Sequence, residues 1–211
     1  MKKTKIIALV LCASIMLMGA GYAYWSDTLT INNTVATGEL NVRFTDATLT
    51  TGETGTQYLQ FGDGVNTNAI VTDKNLNLKV GNLYPGASYK LNANFENNGT
   101  IPAVAYGMIV SDDTTNAPAG KTQITLANAD AFKVTGVIKH DKFVGTDETY
   151  DVNTTLKDLG SVLNGLNLRL EPQDKVSFEN VTITLDPNAG DSYENSYVGL
   201  KLTINFKQHN Q

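Results

Sequence analysis

A period-two alternation of apolar and polar residues recurs along this 211-residue chain, and no other feature narrows its fold as far. In "ELNVRF", Leu40, Val42 and Phe44 fall on one side of an extended strand and Glu39, Asn41 and Arg43 on the other. "NLNLKV" repeats the device with Leu76, Leu78 and Val80, and "YKLNANF" with Tyr89, Leu91, Ala93 and Phe95. Near the end, "VSFENVTITL" offers Phe178, Val181, Ile183 and Leu185, and "VGLKLTINF" offers Leu200, Leu202, Ile204 and Phe206. Strands of this kind bury one face and wet the other, so they predict antiparallel sheets packed face to face. The expected fold is all-β, an antiparallel β-sandwich of jelly-roll or immunoglobulin-like kind.

Helix is scarce and expected only in loops. "TTLKDLGSVLNGLNL" spaces Leu156, Leu159, Val162, Leu163 and Leu166 helically, but Gly160 and Gly165 limit it to a short helix. "LANADAF" predicts one turn with Asn128 as its cap. The polar stretches Thr45–Thr72 and Thr114–Gln123 read as surface insertions. Two proline turns, Leu83-Tyr84-Pro85-Gly86 and Leu170-Glu171-Pro172-Gln173, each precede an alternating strand. They are either two ordinary turns or equivalent corners of one sandwich.

The first residues read as a processing segment. Lys2, Lys3 and Lys5 precede the apolar run Ile6–Met18, which has the length of a signal-peptide core rather than a membrane span, with an uncleaved membrane anchor as the alternative. Gly21 and Ala23 place small residues for cleavage after Ala23, which divides the chain into a signal peptide (1–23), an N-terminal segment (24–37) and a sandwich domain (38–211). The one cysteine, Cys12, lies in the signal, so the remainder must hold together by packing alone. Three lysines and no acids lie in residues 1–23, so the formal charge of −5 becomes −8 without them. That acidity argues against nucleic acid as a partner. No membrane span is expected after residue 23, and "KLTINFKQHNQ" carries no wall-sorting motif or hydrophobic tail. The expected location is outside the cell, in solution or held by other proteins.

In "YWSDTLTINNTVATG", Trp25, Leu29, Ile31 and Val35 share one side of an extended segment. Such a segment can be the first strand of its own domain, or it can add to the sheet edge of a second molecule. "IPAVAYGMIV" is an almost continuous apolar run, the pattern of a strand covered on both faces. Val104, Tyr106, Met108 and Val110 are therefore candidates to line an acceptor site, with Asn97-Asn98-Gly99 as a tight turn beside them and Pro85-Gly86 as a second turn at a sheet edge.

These residues bring a family into view. "GYAYWSDTLTINNTVATGELNV", with Trp25 and Asp27 after a small-residue stretch and Thr37-Gly38 before a strand, resembles the start of the TasA and camelysin-like (CalY) proteins. The Leu83-x-Pro85-Gly86 turn followed by "FENNG" at Phe95–Gly99 is the second match, and "ADAFKV" and "LKDL" follow in the order that family shows. The chain lacks the long charged tail of some members. The resemblance implies export through a SipW-type signal peptidase and a jelly-roll subunit of biofilm matrix fibres. Its partners are then further copies of itself, as a homopolymer joined by N-terminal strand donation, and other matrix or cell-surface proteins.

Some camelysin-like members have been classed as metallopeptidases, so a surface metallopeptidase is the competing expectation. Against it, only His140 and His209 exist and no His-Glu-x-x-His motif is present. Gly-x-Ser-x-Gly is absent too, so no catalytic, metal or cofactor residue is assigned and no enzyme is expected. A non-polymerising adhesin is the third expectation, through Tyr58, Phe61, Asp63 and Asn66 or through Asp112-Asp113.

Overall fold

The computed structural model describes residues 2–24, 37–51, 59–61, 69–115 and 117–209. Contacts divide the chain into two units, 1–37 and 38–211. In the first unit, Lys2–Tyr24 forms helix α1, whose last turn includes Ala23. Among the described residues no helix is long and apolar enough to cross a membrane.

The second unit is an antiparallel β-sandwich. Its long strands are β1 (Val42–Thr51), β4 (Asn75–Leu83), β5 (Ser88–Asn97), β6 (Ala103–Asp112), β8 (Phe132–Asp141), β9 (Glu148–Thr155), β11 (Lys175–Leu185) and β12 (Ser196–Gln208). Short strands β2 (Gln60–Phe61), β3 (Ile70–Thr72), β7 (Thr122–Gln123) and β10 (Arg169–Leu170) trim the edges. The first sheet has the order β1-β5-β11-β8-β9, and the second β10-β6-β12-β4-β2, with β3 on β4 and β7 parallel to β12. The last two long strands each insert between earlier ones, β11 between β5 and β8 and β12 between β4 and β6. The first sheet is complete only once β11 has been placed and the second only once β12 has.

Alternation and burial coincide. Leu76, Leu78 and Val80 of β4, Tyr89, Leu91, Ala93 and Phe95 of β5, and Leu200, Leu202 and Ile204 of β12 are all buried. In β11 the apolar spacing breaks from two to three between Phe178 and Val181, and a bulge stands there. The extra residue keeps both side chains on the core face. Phe95 is the aromatic centre, with Phe44, Phe206 and Phe178 at centroid distances of 5.6, 6.0 and 6.1 Å.

Helix α2 (Leu159–Gly165) is as short as its glycines imply. It lies along β6, and the Asn164 side chain does the work of a strand there. Its Oδ1 accepts from the Met108 N–H at 2.7 Å and its amide donates to the Met108 C=O at 2.9 Å. Both main-chain groups of Met108 are thereby satisfied at an edge that β10 does not reach.

Three expectations are corrected. The run Ile101–Val110 is not covered on both faces, since Tyr106 is 64% exposed and Ile109 50%. Met108 is buried and Val104 and Val110 are half-buried. Tyr106 has no register partner, because Asn205 pairs with Gly107 and Phe206 with Ala105. That bulge turns Tyr106 outward. The stretch Thr45–Thr72 is not simply an insertion: β1 extends through Thr51, and β2 and β3 edge the second sheet. The single turn at Leu126–Asn128 starts after Thr125, whose carbonyl accepts the Asn128 N–H at 2.9 Å, so Asn128 ends it rather than starting it.

Candidate functional site

The sandwich has two ends, set by the run of β5. At one end, the residues that open the compact unit are fastened to the turn between β5 and β6. Glu39 donates its N–H to Thr100 Oγ1 and accepts from the Thr100 N–H, each at 2.9 Å, and the Asn98 N–H donates to the Asn41 C=O at 2.8 Å. Gly99 lets the two segments meet: a Cβ there would lie 2.3 Å from the Glu39 carbonyl oxygen and 2.8 Å from the Asn41 nitrogen. Gly38 crosses Ile101 so closely that a Cβ would stand 2.0 Å from Ile101 Cγ2. The stem 38–41 thus leaves the sandwich along a fixed path.

Asn97 holds this turn from within. It is fully buried, its side-chain amide donates to the carbonyls of Ile101 at 2.9 Å and Leu170 at 3.1 Å, and its Oδ1 accepts from the Gly99 N–H at 3.0 Å. A carboxamide with donors and an acceptor suits that set, and each of its polar atoms is used. The β10–β11 turn is joined to the same point through main-chain bonds between Asn97 and both Gln173 and Asp174.

Asp174 then reaches the β8–β9 loop. Its carboxylate accepts from the N–H groups of Glu171 at 2.9 Å and Phe143 at 2.8 Å, and faces His140 Nε2 at 3.1 Å. Both His140 and Asp174 are 2% exposed. Glu148 stands 3.6 Å from the other ring nitrogen. The Lys142 ammonium and Tyr150 hydroxyl donate to Glu148 and hold its carboxyl down to about 2. Tyr150 in turn is pushed up to about 12 by burial and by that carboxylate. The Phe143 and Val144 side chains stand exposed at the loop tip. Through His140 and the Phe143 N–H, Asp174 joins the β8–β9 loop to the β10–β11 turn.

A shallow groove opens beside the stem, lined by Gly38, Leu40, Ile101, Tyr106, Phe206, Lys207 and Gln208. Of the candidates from sequence, Asn97, Asn98, Gly99, Val104 and Tyr106 gather at this end, since Val104 pairs with Arg169 and Lys207 there. Met108 and Val110 lie further along β6 under α2. Pro85 and Gly86 are at the opposite end of β5, where Gly86 donates its N–H to the Leu185 carbonyl at 3.0 Å. Trp25, Leu29, Ile31 and Val35 lie outside the described residues, as do Tyr58, Asp63 and Asn66. Phe61 is half-buried in β2, and Asp112 accepts from the Leu126 N–H. Among the described residues no group of three or more His, Cys, Asp or Glu side chains is placed to hold a metal ion.

Sequence reasoning missed the His140–Asp174 pair and the Asn97 hub. A lone histidine in a strand carries no spacing signal, and Asn97 reads as turn chemistry. Comparison with models of known protein families finds no match, and no curated protein matches the sequence.

Proposed function

We propose that this protein is a secreted structural subunit of extracellular matrix fibres, joined head-to-tail when each copy gives its N-terminal segment, residues 24–37, to the sheet edge of the next. The reading rests on the sequence of that segment and on its resemblance to the TasA and camelysin-like proteins. The observation that carries it is the stem: the sandwich is knit together from Gly38 onward, with Glu39 and Asn41 bound to Asn98 and Thr100. An extended segment ahead of such a domain can add to the sheet edge of a second molecule. A head-to-tail contact of this kind need not close into a ring and so makes a filament.

Open edges support the receiving half of the proposal. Past Phe44, whose N–H donates to the Asp73 carbonyl, the outer edge of β1 has no strand partner among the described residues, and neither has the outer edge of β9. The β6 edge is less suited, because β10 and Asn164 occupy it. The jelly-roll connectivity implied by the resemblance belongs to this proposal and is supported by the late insertion of β11 and β12. Cleavage after Ala23 by a SipW-type peptidase would release the segment.

The test compares the mature chain with a truncated chain starting at Glu39, by negative-stain microscopy at equal concentration. Filaments from the mature chain alone support the proposal. Identical filaments from both would end it.

A further inference from the structure

The stem groove has the composition of a contact surface. Tyr106 is 64% exposed and Leu40 37%, with the half-buried rings and methyls of Phe206 and Ile101 between them. Tyr106 is turned out by the β6 bulge, and Phe206 reaches from the groove to Phe95 in the core. The groove's charged residue is basic on an acidic chain: Lys207 lines it and is exposed. Apolar centre and charged rim are the anatomy of a subunit contact.

Chain connectivity says what comes to it. Gly38 itself lines the groove, and its path over Ile101 is fixed. Val35, the last large apolar residue of the segment, is three residues before Gly38. Three extended residues span about 10 Å. A copy that binds Val35 therefore has its own surface within about 10 Å of Gly38, against the groove.

We propose that this groove seats the body of a second copy of this chain, the one that receives the N-terminal segment. The inference rests on strand donation as the assembly mode and adds a second contact that sets the angle between successive subunits. The net negative charge of the receiving copy complements Lys207 in the groove. Strand donation raises the effective concentration of the second contact, and the two contacts together fix the angle that one alone leaves open.

The experiment uses the full mature chain in two forms. In one, Tyr106→Cys is labelled with a photo-crosslinker, which is specific because residues 24–211 contain no cysteine. In the other, Leu40→Ser and Tyr106→Ser are combined, both at exposed positions, with thermal unfolding as the check on folding. The expected results are crosslinks between copies at position 106 that disappear in the chain starting at Glu39, and at least a tenfold higher concentration needed for filaments in the double variant. Filaments of normal length and concentration dependence in the double variant would overturn the groove contact while leaving strand donation intact. Crosslinks only within one chain, or easier assembly of the double variant, would overturn it in favour of a groove covered by the chain's own segment. Filaments from the truncated chain would remove strand donation, and the seat with it.

Discussion

Leu185 and Asn97 make the same pair of main-chain bonds to two different turns. Leu185 accepts from the Gly86 N–H at 3.0 Å and donates to the Ala87 carbonyl at 2.9 Å. Asn97 accepts from the Gln173 N–H at 2.8 Å and donates to the Asp174 carbonyl at 3.0 Å. Each turn closes on its own bond, Ala87 N–H to Tyr84 and Asp174 N–H to Glu171, with proline second and a positive φ third. The two proline turns are equivalent corners, related across the β5–β11 pair.

The equivalence has unequal consequences for substitution. Gly86 (φ 84°) and Gln173 (φ 74°) share a backbone shape that only glycine adopts freely. Gly86→Ala is expected to lower stability by about 1 kcal/mol. Gln173→Gly should cost nothing net, since relief of the left-handed strain offsets the added freedom of the unfolded chain. Denaturant midpoints of the two variants check this, and equal losses would contradict it.

Asn97 should tolerate no acidic replacement. Asn97→Asp would set a carboxylate against the carbonyls of Ile101 and Leu170, which now receive its amide hydrogens. The expected loss is about 3 kcal/mol, with Asn97→Ala costing about 1–3 kcal/mol. Amide exchange at Asn98 and Thr100 should quicken before the rest of the sandwich, because both N–H groups tie down the stem.

Lys79 and Asp113 form a buried pair at 3.5 Å. Burial works to raise the Asp113 carboxyl, but hydrogen bonds from Thr115 and the Lys79 charge outweigh it and hold the group below its ordinary range. Lys79→Met is expected to cost about 3 kcal/mol by stranding the carboxylate. Adding Asp113→Asn should recover much of that, which thermal unfolding of single and double variants will read.

Acid should loosen the β8–β9 loop. Glu148 is held at about 2 in the folded chain against an ordinary 4.5. A depressed carboxylate contributes stability above its unfolded value and loses it as pH falls through the folded one. Glu148→Gln should therefore flatten the fall in stability between about pH 4.5 and 2. Its half-exposed position and the screening of its partner Lys142 by water keep the effect small. A pH titration of unfolding midpoints that is identical in both proteins would contradict this.

The Tyr89 hydroxyl is buried with no hydrogen-bond partner among the described residues, and burial raises its ionisation well above normal. Tyr89→Phe is expected to be neutral or to stabilise by up to about 1 kcal/mol. A clear loss would show that the hydroxyl has a partner.

The strands were legible because burial on one face imposes a period of two, which the large apolar residues of β4, β5 and β12 follow and β11 follows on either side of its bulge. The proline turns were legible as local chemistry, though their equivalence appears only through Leu185 and Asn97. Tyr106 and Ile109 misled because an apolar run looks the same whether its outer face is covered or bare. The stem clamp was hidden for a different reason: Glu39 and Thr100 are 61 positions apart, and hydrogen bonds across that distance leave no period behind.

The most direct measurement places a photo-crosslinking analogue at Ile31 and mixes copies grown with and without a heavy isotope before assembly. Crosslinked peptides that join heavy to light chains, in the proportion of the mixture, are the predicted result. Crosslinks confined to heavy–heavy and light–light pairs from single chains would show the segment paired within its own molecule, and the fibre account would be wrong.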